Sequence, residues 1–386
     1  MLAYARSSLQ WLTRSKLPGS LHRLVNKAVL RMSPAIQAAC ETRLSEAQMS
    51  LAADRETETL LDELPSETTP RERRFLFNFF AAVWSGGNVL EVGPFLGGTS
   101  RSIALGMLAN PRRDAASRLH TFDRFSHYYG GAQLVETLGP FLQSGKLTEG
   151  TCERIKATTS FREVFDLLHA GQPYSSILKT HTGELPERAS EVDQSEIQFD
   201  PSHLSSLDSV FVDGCKSWFG TKYFMQQVIE KTQPGAFYIF QDYGHYTCFW
   251  VPAFVAAFRD RFRFYGHVDS TYAFQLTSPI RAAEIETRFP DEPDGFAADE
   301  LDRLFATIVA DATAASDWLG RVAGRLQHGA ALAYVGREDD ALRLMEDELR
   351  CVVRRAPHFE KMVRRAMHSP TYRPNGGSGV PIVLTK

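Results

Sequence analysis

No apolar run in this chain approaches the ~18 residues needed to cross a bilayer. Cysteine is scarce. Cys40, Cys152, Cys215, Cys248 and Cys351 are scattered, odd in number and never in C-x-x-C spacing. That argues against a disulfide framework or a zinc knuckle and fits a reducing, cytoplasmic setting. An excess of one charge is also lacking: a formal net charge of −3 gives no global field for nucleic acid. The dinucleotide fingerprint G-x-G-x-x-G does not appear at the glycine-rich turn of residues 93–98, where Phe95 takes the place of the second glycine.

The chain has 386 residues, 43% of them apolar, with 26 Phe and 12 Tyr. That is enough for an aromatic-rich core in one large domain with extensions, or in two to three domains. The first forty residues are basic. Arg6, Arg14, Lys16, Arg23, Lys27 and Arg31 precede the first acid, Glu41, with Leu and Trp interleaved. Residues 1–68 read as a helical arm. It suits a membrane surface, an organelle presequence, or packing on its own domain or a dimer partner, and the last reading is preferred.

Thr69-Pro70-Arg71-Glu72 has the form of a helix start, with a capping Thr, Pro at the first position and Glu three after the cap. From Gly87 onward, strand-like and helix-like runs alternate as in a parallel sheet covered on both faces. Strands are expected at 89–93, 119–123, 176–180, 209–213 and 236–242, followed by two apolar runs at 262–268 and 272–276. Beyond Pro279 the sequence turns charged, Ala-rich and helical. Residues 329–342 resemble a single tetratricopeptide-type helical pair, which cannot make a solenoid alone. The tail from Tyr372 reads as mobile.

The candidate chemistry falls at the carboxyl ends of the expected strands, where open α/β sheets bind ligands. Residues 89–100, V-L-E-V-G-P-F-L-G-G-T-S, carry an acid and then a glycine-rich turn into a helix. They resemble the first motif of class I S-adenosylmethionine (SAM) methyltransferases, E/D-x-G-x-x-x-G. Residues 210–220, V-F-V-D-G-C-K-S-W-F-G, resemble the D-G-x-H-S-Y-E-G block of a bacterial small-molecule group that includes macrocin-type sugar O-methyltransferases. Lys216, Trp218 and Phe219 replace that block's His, Tyr and Glu. Asp242-Tyr243 is similar to the group's D-D-Y.

The resemblance implies a doubly wound, mostly parallel seven-stranded α/β sheet over residues 69–280 (a Rossmann-like methyltransferase fold). The helical arm (1–68) and a helical C-terminal extension (281–386) would flank it. The last two strands would pair as an antiparallel edge.

It further implies SAM as cofactor and a small-molecule hydroxyl, of a sugar or natural product, as methyl acceptor. Glu91, Gly93, Gly97, Thr99, Ser100, Asp123, Gly183, Glu184 and Asp213 would form the cofactor pocket. Asp123, an acceptor-only carboxylate, would take both ribose hydroxyls, and the Gly183-Glu184 turn would border adenine. Asp213 and Asp242, with Gln241 as a weaker third ligand, would hold Mg²⁺. The spacing Asp213-x-x-Lys216 matches the D-x-x-K of catechol and caffeoyl-CoA type enzymes. On that match Lys216, its pKa lowered, is the candidate general base, with His245 as the second candidate. The aromatic loops 125–131 and 243–250 would roof the acceptor or simply pack.

A homo-oligomer is left open, and no nucleic-acid partner is expected. The rival readings are an NAD-linked oxidoreductase, a non-catalytic interaction protein built on the same sheet, and a cephalosporin hydroxylase-like relative.

Overall fold

The computed structural model describes residues 55–368, apart from 65, 127–130, 146, 158–159, 193 and 195–197. Most of the N-terminal arm, the C-terminal tail and the 127–130 part of the aromatic loop lie outside the described residues.

Helix Pro70–Ala82 opens with the expected capping box. Thr69 accepts the Glu72 amide, and Glu72 accepts the Thr69 amide at 2.8 Å. The other carboxylate oxygen of Glu72 accepts the hydroxyls of Ser270 and Thr271 at 3.0 and 2.9 Å. One side chain therefore caps the helix and ties it to the far edge of the sheet.

Seven strands follow: β1 (Asn88–Val92), β2 (Leu119–Asp123), β3 (Leu178–Thr182), β4 (Leu207–Val212), β5 (Thr232–Phe240), β6 (Phe262–Val268) and β7 (Thr271–Leu276). They form one sheet in the order β3-β2-β1-β4-β5-β7-β6. β1 to β5 run parallel, and β7 is antiparallel to both neighbours. This is the expected α/β architecture. β3 begins and ends two residues later than the sequence reading placed it. After β4, helix Trp218–Val228 starts where Ser217 caps it by accepting the Gly220 amide.

Strands β1 and β4 and the second half of β5 are largely apolar and buried, and their period of two feeds two cores. Leu90, Val92, Val210, Val212, Tyr238 and Phe240 join one cluster. Val89, Phe211, Phe237 and Ile239 join the other, beneath helices Pro70–Ala82 and Gly98–Ala109.

Beyond residue 280 the chain stays in this core. Leu301, Phe305, Ile308, Ala330 and Ala331 belong to the first cluster together with the β4 and β5 residues. The tetratricopeptide-like stretch is a helical pair, Trp318–Tyr334 and Glu338–Arg355, and its first helix packs against the domain. No helix among the described residues is long and apolar enough to cross a membrane. Cys152, Cys215, Cys248 and Cys351 are free.

Candidate active site

Four strand ends bring the polar residues into a row. The Gly93 amide donates to the Phe122 carbonyl at the end of β2. The Asp213 amide donates to Val92 O, and the Gln241 amide to Val212 O. Asp123, Gly93, Asp213 and Gln241-Asp242 thus follow one another along the carboxyl edge. The order of the strands reverses between β1 and β4, the switch point at which such sheets bind ligands.

Glu91 is fully buried. Its two carboxylate oxygens accept the Thr99 and Ser100 hydroxyls at 2.6 and 2.5 Å. Burial pushes the Glu91 carboxyl up to about 7, against the pull of those two hydrogen bonds. The hydroxyls expected to touch cofactor are therefore spent on Glu91. What Thr99 and Ser100 leave for a ligand is the start of helix Gly98–Ala109, whose N-cap, Gly97, makes no side-chain cap. An uncapped helix start presents N–H groups to an anion.

The loop's glycines are required by the protein itself. A Cβ on Gly97 (φ 85°) would lie 1.9 Å from His169 Nε2, and one on Gly93 (φ 84°) 2.8 Å from the Gly214 amide. His169 was not anticipated from sequence. It is buried, its Nδ1 pairs with the Tyr174 hydroxyl at 2.9 Å, and its Nε2 lies 3.2 Å from the Leu96 carbonyl. Burial, with Arg101 nearby, pushes it down to about 3, so it braces the loop as a neutral imidazole.

Asp123 accepts the Phe125 amide at 2.8 Å, and burial raises its pKa. Its flanking backbone is unusual: Phe95 and Phe125 have φ of 50° and 52°. Both rings pack on Phe161, at 5.8 and 5.5 Å. Bulky residues in the left-handed region mark strain, and strain of this kind gathers at functional sites. Asp242 (φ 64°) adds a third such position on the same edge. The Gly183 amide donates to Asp123 O, which places the Gly183-Glu184 turn beside Asp123.

Lys216 lies between the two aspartates. Its ammonium donates to Asp213 Oδ1 at 2.8 Å and to Asp242 Oδ2 at 3.1 Å. Its side chain is half exposed; desolvation of the ammonium would lower its pKa, but the two carboxylates outweigh it and hold the ammonium well above its usual range. This corrects the expectation of a lowered pKa at Lys216: a lysine locked by two carboxylates keeps its proton. Asp213 is raised by burial, pulled back by Lys216 and pushed up again by Asp242.

His245 differs. Its Nδ1 pairs with Thr247 Oγ1 at 2.8 Å, and burial lowers its pKa, with Asp242 and Lys216 close enough to act on it in opposite directions. The imidazole is therefore mostly neutral near neutral pH, with Nε2 free of that pairing.

The aromatics of loop 243–250 mainly pack. Phe249 and Trp250 are buried, Trp250 Nε1 donates to Cys215 O at 2.8 Å, and Tyr243 stacks on Tyr272 with ring centres 4.6 Å apart. A residue far along the chain holds this loop. Gln327 Nε2 donates to the carbonyls of Tyr243 and His245 at 2.7 and 2.9 Å. Only the folded chain brings residue 327 here, so no local sequence signal marks it.

The residues fit a SAM-type cofactor by donor chemistry: a carboxylate at the β2 end and, after the glycine turn, an uncapped helix start. They do not fit a divalent cation in the arrangement described. The interval between Asp213 and Asp242 holds the Lys216 ammonium, and the third oxygen would come from a neutral Gln241.

No protein-family model and no curated protein matches this sequence. Among the solved structures similar to it are several methyltransferases. Among them is the O-methyltransferase TomG from Streptomyces achromogenes, solved with SAM, at 15% identity over 60% of this chain and 94% of that one, with a TM-score of 0.35. Another is an O-methyltransferase from Bacillus cereus, solved with SAH, at 13% identity over 62% and 97%, with a TM-score of 0.33. A third is the SAH-bound methyltransferase PaMTH1 from Podospora anserina, at 11% identity over 65% and 96%, with a TM-score of 0.34. Likenesses of that size leave the activity of this chain to be argued from its own residues.

Proposed function

We propose that this chain is a SAM-dependent O-methyltransferase acting on a hydroxyl of a small molecule, a sugar or natural product, without a divalent metal. The observation that carries the reading is the row of strand ends. Asp123 and Glu91 stand beside an uncapped helix start, next to the Asp213–Lys216–Asp242 cluster and His245. The antiparallel β7 between β5 and β6 also departs from the dinucleotide-binding strand order, which weighs against an NAD-linked oxidoreductase.

When bound, SAM supplies an electrophilic methyl group on a sulfonium. In this reading Asp123 accepts the ribose hydroxyls, and the amides at the start of helix Gly98–Ala109 receive the cofactor's carboxylate. Glu91, ionised by the approach of a cationic ligand, holds the glycine loop through Thr99 and Ser100. Lys216 fixes the two aspartates and offers a charge to the acceptor oxygen as it loses its proton. His245 takes that proton, since its imidazole is neutral where Lys216 is not. Gln327 keeps His245 in place through the loop backbone.

The test is a pair of variants assayed for methyl transfer over pH with a panel of hydroxyl acceptors. His245→Asn is expected to lower kcat by about 10²-fold or more and to erase an ionisation below about pH 6.5. Lys216→Met is expected to lower kcat about as far but to keep that ionisation. An unchanged pH profile in His245→Asn would remove His245 from the proposal.

A further inference from the structure

Away from the strand-end site, three histidines converge at the β3 edge of the sheet. His120 lies on β2, His181 on β3 and His203 in the segment before β4. His120 Nδ1 and His181 Nε2 are 3.1 Å apart. The ring of His181 lies 4.8 Å from that of His203 and stacks on Phe122 at 4.5 Å. One nitrogen from each of the three imidazoles falls within a 4.8 Å span. His120 is three residues before Asp123, so about 10 Å of strand separates this cluster from the cofactor edge.

Two imidazole nitrogens 3.1 Å apart have room for one hydrogen between them, and no carboxylate is paired with either ring among the hydrogen bonds of the cluster. Burial and the mutual repulsion of the rings push His120 and His181 down to about 4 each, with Lys179 and Arg118 adding to His120 and Arg162 to His181. Imidazole binds a metal through an unprotonated ring nitrogen, and each of the three rings brings one such atom within the 4.8 Å span. Two nitrogens each about 2.0–2.1 Å from one zinc ion at a tetrahedral angle lie about 3.4 Å apart, close to the separation already present. His203 is exposed, and its ring already faces those of His181 and Phe122. Asp200, three residues before His203, accepts the Ser202 amide at 2.8 Å.

We propose that His120, His181 and His203 bind one late first-row divalent cation, with Zn²⁺ the best fit to three imidazoles and an open position. The ion would pin the segment carrying His203 to the β3 edge. That segment also carries Phe199, whose ring packs on Phe122 at 4.9 Å and whose amide donates to the Glu184 carbonyl. The metal would thus stiffen the turn after β3 without entering the reaction. The Arg118, Lys179 and Arg162 charges weaken the site and favour an ion of high intrinsic affinity over Mg²⁺.

The test uses the untagged full chain, stripped with chelator and titrated with Co²⁺ alone, followed by displacement with Zn²⁺. The expected result is a saturable visible absorption at one equivalent, lost on adding Zn²⁺, with affinity at least about tenfold weaker in both His203→Ala and His181→Asn. His203 is exposed, so its variant reports on binding without a folding defect. A parent with no saturable spectrum would overturn the site. So would an affinity unchanged in either variant.

Discussion

At the scale of single residues, Asp123 is the sharpest point of the cofactor reading. Its carboxylate closes β2 and braces Phe125. Asp123→Ala should weaken S-adenosylhomocysteine binding by about 10- to 100-fold, the worth of one or two hydrogen bonds to a charged group. Calorimetry checks this, with circular dichroism to show that the fold survives. Glu91 carries a separate prediction. Its folded pKa of about 7 lies above an unfolded value of about 4.3, so between those limits the folded chain binds the extra proton. Stability therefore falls as pH rises through that window. Glu91→Gln should flatten the fall in urea midpoint between about pH 5 and about pH 8, leaving the part contributed by Asp213, whose shift has the same sign.

Much of this scale was legible in the sequence, because Asp123, Asp213 and Asp242 each stand at or just past the end of a strand-like run. The state of Lys216 was not. A D-x-x-K spacing shows that lysine can reach Asp213, but whether it also reaches Asp242, 26 residues on, depends on β4 pairing with β5. That second carboxylate reverses the expected direction of its pKa. The histidine cluster was hidden for the same reason: His120 and His181 meet only through the β2–β3 register.

At the scale of elements, the loop after β5 is held from outside the sheet. Gln327 is buried and gives both N–H groups of its amide to that loop. Gln327→Ala should cost about 1–3 kcal/mol by leaving carbonyls unpaired. Because the same loop positions His245, kcat should fall while SAH affinity stays within a factor of about three. A denaturation curve and steady-state kinetics on one preparation check both parts. The helices themselves were readable from local signals, such as the Thr69–Glu72 capping box. Helix Trp218–Val228 is likewise capped locally, by Ser217, which accepts the Gly220 amide.

At the scale of the whole molecule, the sequence suggests an appendage beyond residue 280, whereas the fold builds those residues into the main core. Leu301, Phe305 and Ile308 are buried with Phe254, Phe258 and Phe289 in one cluster. Ending the chain near residue 296 would expose that face, at roughly 1.5–3 kcal/mol per large apolar side chain. Such a truncation should give insoluble protein, which a solubility assay on expression decides. Composition shows a change of character at Pro279, but not that the change is made within one core. Amphipathic helices read alike whether they cover their own sheet or a partner.

The most direct measurement of the central claim is calorimetric titration of the purified chain with S-adenosylhomocysteine, with and without Mg²⁺. The account predicts micromolar one-to-one binding that Mg²⁺ leaves unchanged, because Lys216 already serves the two aspartates. Absence of binding in both conditions would contradict it, and binding that appears only with Mg²⁺ would overturn the metal-free site.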